Sequence, residues 1–172
     1  MQTSEQEKVL QQVIPPIEAF YQNEKGRRTP YCTSDKYDKN HSQSLCFTQP
    51  WPDGSITEYT WQEVGNEVRR MATYLSSQDY PAGSKIALMS SNCAHWIIAD
   101  LAIWMAGHVS VPLYPVLNTK TVNQILTHCE AKLIFLGKLD SWEAIAAGIP
   151  EGLERITLPI CPDAAKQGAK QW

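Results

Sequence analysis

Four short apolar runs recur at a nearly constant interval, and that interval constrains the fold more than any other feature of the chain. They begin near Ile86, Val109, Leu133 and Ile156. A step of about 23 residues leaves room for a strand, a helix and two short connections. KIALMS (85–90) and VSVPLYP (109–115) read as short buried strands, the second leaving through two prolines into an irregular loop. Helix candidates fall between the runs, at Thr121–Cys129 and Ser141–Ala147. The first places Val122, Ile125, Leu126 and Cys129 on one face, with Asn118 or Thr119 as its cap. Strand and helix alternating in this order predict an α/β fold: a doubly wound, mainly parallel sheet built from βα repeats.

The stretch between the first two runs, NCAHWIIADLAIWMAGH (92–108), is apolar enough to raise the question of a membrane span. A span needs about 20 apolar residues with few or no charges. Here Asp100 sits in the middle and the run ends at Gly107 after about four turns. Ser90, Ser91 and Asn92 offer N-cap chemistry, and Gly107 suits a left-handed terminating residue. The stretch therefore reads as a helix buried on more than one side, with Ile97, Leu101, Trp104, Met105 and His108 on one stripe and no transmembrane segment.

Upstream the pattern changes. Glu5–Tyr21 reads as an N-terminal helix, ended or broken at Pro15-Pro16, and 26–44 reads as a polar loop. Ser44–Gln49 and Ile56–Thr60 read as a β-hairpin around Pro52-Asp53-Gly54. Thr60 and Glu63 form a capping-box pattern before an amphipathic helix carrying Val64, Val68, Met71 and Leu75. The expected organisation is an N-terminal helix and polar loop over 1–43, an α/β portion over 44–160, and a polar tail over 161–172 where the chain is truncated.

Composition excludes some classes of function. A net charge of −3 without a dense Lys/Arg run argues against nucleic acid and against an anionic membrane surface. The five cysteines are odd in number, widely spaced and lack a CxxC pair, which points to a reducing, cytoplasmic setting rather than to disulfides or a metal. The polar N-terminus has no apolar signal core.

Candidate chemistry is sparse. Cys93 and His95 flank a helix start, where a thiol can become acidic, but residues two apart do not share a helix face. Asp100 in an apolar helix needs a partner or water, and His128-Cys129 are adjacent and point apart. Packing roles fit all of these better than catalysis. There is no GxGxxG, no GxxxxGK[ST] and no GxSxG, and the loop after the first parallel strand, SSNCAHW, holds no glycine.

Two longer stretches, TEYTWQEVGNEVRRMATYL and KIALMSSNCAHWIIADLAIWMAGHVSVPLYPVLNTKTVNQILTHCEAKLIF, resemble the N-terminal part of the AMP-forming (adenylate-forming) synthetases, closest to the long-chain fatty acyl-CoA synthetases. The positions that carry the resemblance are Thr60, Glu63, Asn92, Trp96, Ala106, Gly107, Pro112, Tyr114 and Pro115, within about Ile56–Trp142. The resemblance implies a parent enzyme that uses ATP, Mg²⁺ and coenzyme A to turn a fatty acid into its thioester. That enzyme's Ser/Thr/Gly-rich phosphate loop, Thr/Glu motif, ribose-binding Asp and catalytic Lys do not occur in these 172 residues. No catalytic, cofactor-binding or metal-binding residue is therefore carried over; Lys166 and Lys170 do not match the lysine motif. The expected partner is the remainder of the synthetase chain, and the surface it would cover is expected to favour a homodimer. The alternative is a stand-alone, non-catalytic α/β binding or interaction domain.

Overall fold

Residues 42–172 are described by the computed structural model. The proposed helix at 5–21 lies outside them. Strands β1 (Leu45–Pro50) and β2 (Ile56–Thr60) form the expected antiparallel hairpin. Its turn is held by Asp53, whose Oδ1 accepts from the Ser55 backbone at 2.9 Å and hydroxyl at 2.7 Å, and Gly54 takes φ 85°. Helix α1 (Trp61–Ser76) follows at once. Its capping box is formed: the Glu63 N–H donates to Thr60 Oγ1 at 3.3 Å, and the Thr60 N–H to Glu63 Oε2 at 2.7 Å. Val64, Val68, Met71, Ala72 and Leu75 bury one face.

The remaining elements are β3 (Lys85–Met89), α2 (Ala94–Met105), β4 (Val109–Leu113), α3 (Thr119–His128), β5 (Leu133–Leu136), α4 (Glu143–Ala146), β6 (Glu154–Thr157), α5 (Asp163–Lys166) and β7 (Lys170–Gln171). The five later strands form one parallel sheet in the order β4-β3-β5-β6-β7. All four expected runs are its strands. Side chains alternate across it as the pleat requires. Ile86, Leu88, Leu133, Phe135 and Ile156 face one core layer with α1 and α2. Ala87, Met89, Ile134 and Leu136 face the other, with Val122 and Leu126 of α3, Ile145 of α4 and Ala165 of α5. The chain leaves β3 for one face and β4 for the other, so the winding reverses between β3 and β5.

Helix α2 ends as expected. Gly107 takes φ 77°, the His108 N–H donates to Ile103 O at 3.0 Å, and the Gly107 N–H to Trp104 O at 2.9 Å. The orientation of α2 differs from the expected stripe. Ile97 and Trp104 are 36% and 43% exposed, while His95, Ile98, Leu101, Ala102 and Ile103 are buried. A helix that is apolar nearly all round has no dominant face, so periodicity alone does not orient it.

The expected polar tail at 161–172 is corrected: it contains α5 and the edge strand β7. Cys161 and Ala165 are buried in the second core layer, and Trp172 packs against the first. Two polar residues carry no strand signal, and here the neighbouring β6 supplies the partner. At the other edge, the Val109 N–H points to Ser84 O at 2.9 Å. Donors alternate along a strand, so Ser110 and Pro112 face outward and the proline removes no ladder bond. No described helix is long and apolar enough to cross a membrane.

Candidate functional site

At its carboxyl end β3 makes two junctions, one with β5, where the winding reverses and open α/β sheets hold ligands, and one with β4. One is sealed. Ser90 Oγ accepts the Lys138 N–H at 2.8 Å and donates to Ser91 O at 2.6 Å, and the Ser91 N–H reaches Lys138 O at 2.8 Å. Gly137 permits this approach of β5 to β3: a Cβ there would lie 2.3 Å from Ser90 Oγ and 2.8 Å from Leu158 Cδ1. The other junction, between β3 and β4, is open. It forms a cleft of about 300 Å³ lined by Ser90, Asn92, Trp96, Pro112, Leu113 and Tyr114.

The elements that build this cleft are positioned by the hairpin. Cys93 takes the N-cap position of α2 but offers no side-chain bond. Gln49, buried at the end of β1, replaces it: its Oε1 accepts the Ala94 N–H at 2.8 Å, and its Nε2 donates to Pro50 O at 2.6 Å. The hairpin therefore caps the helix that carries Trp96. On the far wall the chain leaves β4 after Leu113, and Tyr114 is 77% exposed. Among the described residues no charged side chain lines the cleft. Its described lining, an indole, a phenol, a proline and a leucine beside an amide and a hydroxyl, suits apolar or flat neutral groups.

Of the residues that carried the family resemblance, Asn92, Trp96, Pro112 and Tyr114 meet in this cleft. Ala106 and Gly107 form the helix end instead, and Thr60 and Glu63 the capping box. The chemical candidates do not converge there. Cys93 is buried with its Sγ 3.8 Å from Ser90 Oγ. His95 is 5% exposed and stands edge-on to Tyr59 and Trp172, with ring centroids 5.8 and 5.5 Å away. Burial pulls its pKa below the usual histidine value, partly offset by Glu67. Asp100 is half-buried; burial raises its carboxyl, and the Ser110 hydroxyl pulls the other way. His128 is exposed at the end of α3, and the Cys129 thiol donates to Leu126 O at 3.6 Å. Among the described residues no three His, Cys, Asp or Glu side chains are grouped to hold a metal. Burial pushes the Cys161 thiol up to about 11, away from reactivity.

Sequence reasoning missed a polar network at the opposite end of the sheet. Glu154 accepts from the hydroxyls of Tyr74 at 2.7 Å and Tyr80 at 2.8 Å and pairs with Lys170 at 2.7 Å. Burial works against the carboxylate, but Lys170, Tyr74 and Tyr80 together hold it below the usual carboxylate range. Its members come from α1, the loop after it, β6 and β7, so no local pattern announces it.

An open, doubly wound parallel sheet with an antiparallel hairpin beside it defines an α/β domain. The family model described as "AMP-binding enzyme" matches residues 36–171, and the chain belongs to that family. Among curated proteins it is 34% identical over 83 residues to the long-chain-fatty-acid–CoA ligase FadD15 of Mycobacterium bovis, a match covering 48% of this chain and 14% of that protein. It is 31% identical over 86 residues to the peroxisomal long chain acyl-CoA synthetase 6 of Arabidopsis thaliana, covering 48% of this chain and 12% of that one. Both matches therefore span a small part of a much longer relative. Among solved structures, the anthranilate CoA ligase AuaEII in complex with anthranoyl-AMP superposes with a TM-score of 0.58 at 18% identity, covering 72% of this chain and 23% of that one. CmiS6 superposes with a TM-score of 0.60 at 20% identity, covering 71% and 28%. At these identities the structural likeness concerns the fold.

Proposed function

We propose that this chain is the N-terminal part of an ATP-dependent acyl-CoA synthetase acting on fatty acids. In such an enzyme the carboxylate attacks the α-phosphorus of ATP, giving an acyl-adenylate and pyrophosphate. The thiol of coenzyme A then attacks the acyl carbon, and AMP leaves. Carboxylates are poor electrophiles; adenylation gives the acyl group a good leaving group, and Mg²⁺ with cationic and N–H donors offsets the phosphate charge. The match over residues 36–171 carries this reading. The α/β portion, read from residue 44, extends through β7 in this account. A cytoplasmic location, the remainder of the synthetase chain as partner and a homodimeric state belong to the same proposal.

The chain alone is inactive in this reading. Among the described residues its open cleft has no charged lining side chain, and its sequence holds no phosphate-binding glycine turn. The test is pyrophosphate release by the purified chain with ATP, Mg²⁺, coenzyme A and palmitate. No release above the protein-free control is expected, whereas saturable, palmitate-dependent release would refute the inactivity. For the parent, the coding sequence beyond Trp172 is expected to continue into a Ser/Thr/Gly-rich loop. A stop codon there would favour the binding-domain alternative.

A further inference from the structure

His108, between α2 and β4, is 8% exposed, and among the described residues neither of its ring nitrogens has a hydrogen-bond partner. An imidazole buried in this way is tolerated only in its neutral form. The Leu75 carbonyl at the end of α1 favours the charged ring without accepting a well-formed bond from it. No charged side chain among the described residues bears on the ring directly. Tyr80, from the connection between α1 and β3, stands edge-on with its ring centre 6.1 Å away. Its hydroxyl donates to Glu154 of β6 at 2.8 Å, and Glu154 is further engaged by Tyr74 of α1 and Lys170 of β7. Asp79 of the connection and Lys85 of β3 are exposed, and the last turn of α2 carries no titratable residue.

The main chain holds His108 more firmly than it holds the connection that covers it. The His108 N–H donates to Ile103 O, and the next residue, Val109, donates to Ser84 O. Residues 77–83 have less to keep them down. Asp79, Pro81 and Ala82 are exposed. The ties to the rest of the fold are the Gly83 N–H on Gly107 O at 3.0 Å and the half-buried Tyr80. A segment with so few buried groups can open by itself.

We propose that residues 77–83 form an acid-released latch: protonation of His108 drives its ring toward water, and the latch lifts off it while the five strands of the sheet stay paired. In the open latch the hydrated imidazole takes up a proton at its ordinary value of about 6.5. The closed latch binds that proton less readily, so its hold is complete above this value and weakens as pH falls below it.

Native-state hydrogen exchange tests this, read as protection factors so that the intrinsic pH dependence of exchange cancels. The Gly83 amide is expected to be less protected than the Gly137 amide, which donates to Met89 O at 3.0 Å, and to exchange independently of low denaturant. Between pH 7.5 and 5.5 its protection is expected to fall by about tenfold, the linkage limit for one group of ordinary pKa that stays neutral when covered. In His108→Phe the fall is expected to vanish. The ring resonances of His108 in the unmodified chain give a second readout, which stands even where the variant does not fold. They are expected to titrate below about 6.5, with the Gly83 amide signal moving at the same midpoint. Exchange of Gly83 only through global unfolding would overturn the proposal. So would protection that pH leaves unchanged, an equal fall in His108→Phe, or a ring that titrates while Gly83 stays still.

Discussion

At the scale of single residues, backbone conformation gives the sharpest expectation. Glu130 is exposed and takes φ 53°, the one positive-φ non-glycine position among the described residues. It closes α3 in the place Gly107 fills after α2: the Ala131 N–H donates to Leu126 O at 3.1 Å. Glu130→Gly is expected to stabilise the protein by about 1 kcal/mol, read as a raised denaturant midpoint with unchanged slope. Histidines set the pH response. Burial lowers the pKa of both His95 and His108. Their neutral forms are thus favoured in the fold, and the stability this contributes is present above the unfolded value of about 6.5 and lost as pH falls below it. The melting temperature is expected to drop from pH 7 toward pH 5, and less steeply in His95→Phe; parallel profiles would show that His95 contributes nothing. None of this was legible at His95 itself. A packing role was the better reading there, but the partners that make it, Tyr59 of β2 and Trp172 after β7, lie far away in the sequence.

At the scale of elements, the βα repeat was legible because buried parallel strands read as continuous apolar runs, and each of the four runs became a strand. The hairpin and both helix caps were legible for local reasons: turn residues, the capping box and Asn118, whose Oδ1 accepts the Thr121 N–H at 2.9 Å. The facing of α2 and the existence of β7 were not. Both are decided by what packs alongside, a property no window of sequence contains. The same holds for the junction between hairpin and α2. Gln49→Ala leaves the buried Ala94 N–H without its acceptor and is expected to cost about 1–2 kcal/mol. The loss should appear as a lower thermal midpoint, together with faster exchange at the start of α2. Equal midpoints for the two proteins would mean that water replaces the amide without loss.

At the scale of the whole molecule, four residues that carried the resemblance meet in one cleft between β3 and β4. The individual positions could be read from the sequence; their convergence required the strand order β4-β3-β5. Large apolar side chains are exposed at Tyr114, which lines the cleft, and at Ile97, Val109 and Val116. Light scattering is expected to show concentration-dependent association of the purified chain, reduced by Tyr114→Ser with Val116→Ser. A monodisperse monomer at high concentration would count against it.

Pro112 limits how such association can proceed. On the outer border of β4, Ser110 is left as the one residue between Val109 and Leu113 whose main-chain N–H is both present and outward-facing. A newcomer laid along this border finds no regular series of donors and cannot zip on as a further ribbon of the sheet. Crowded copies of the chain should therefore stick through their side chains and come apart again on dilution, without seeding fibrils from this margin.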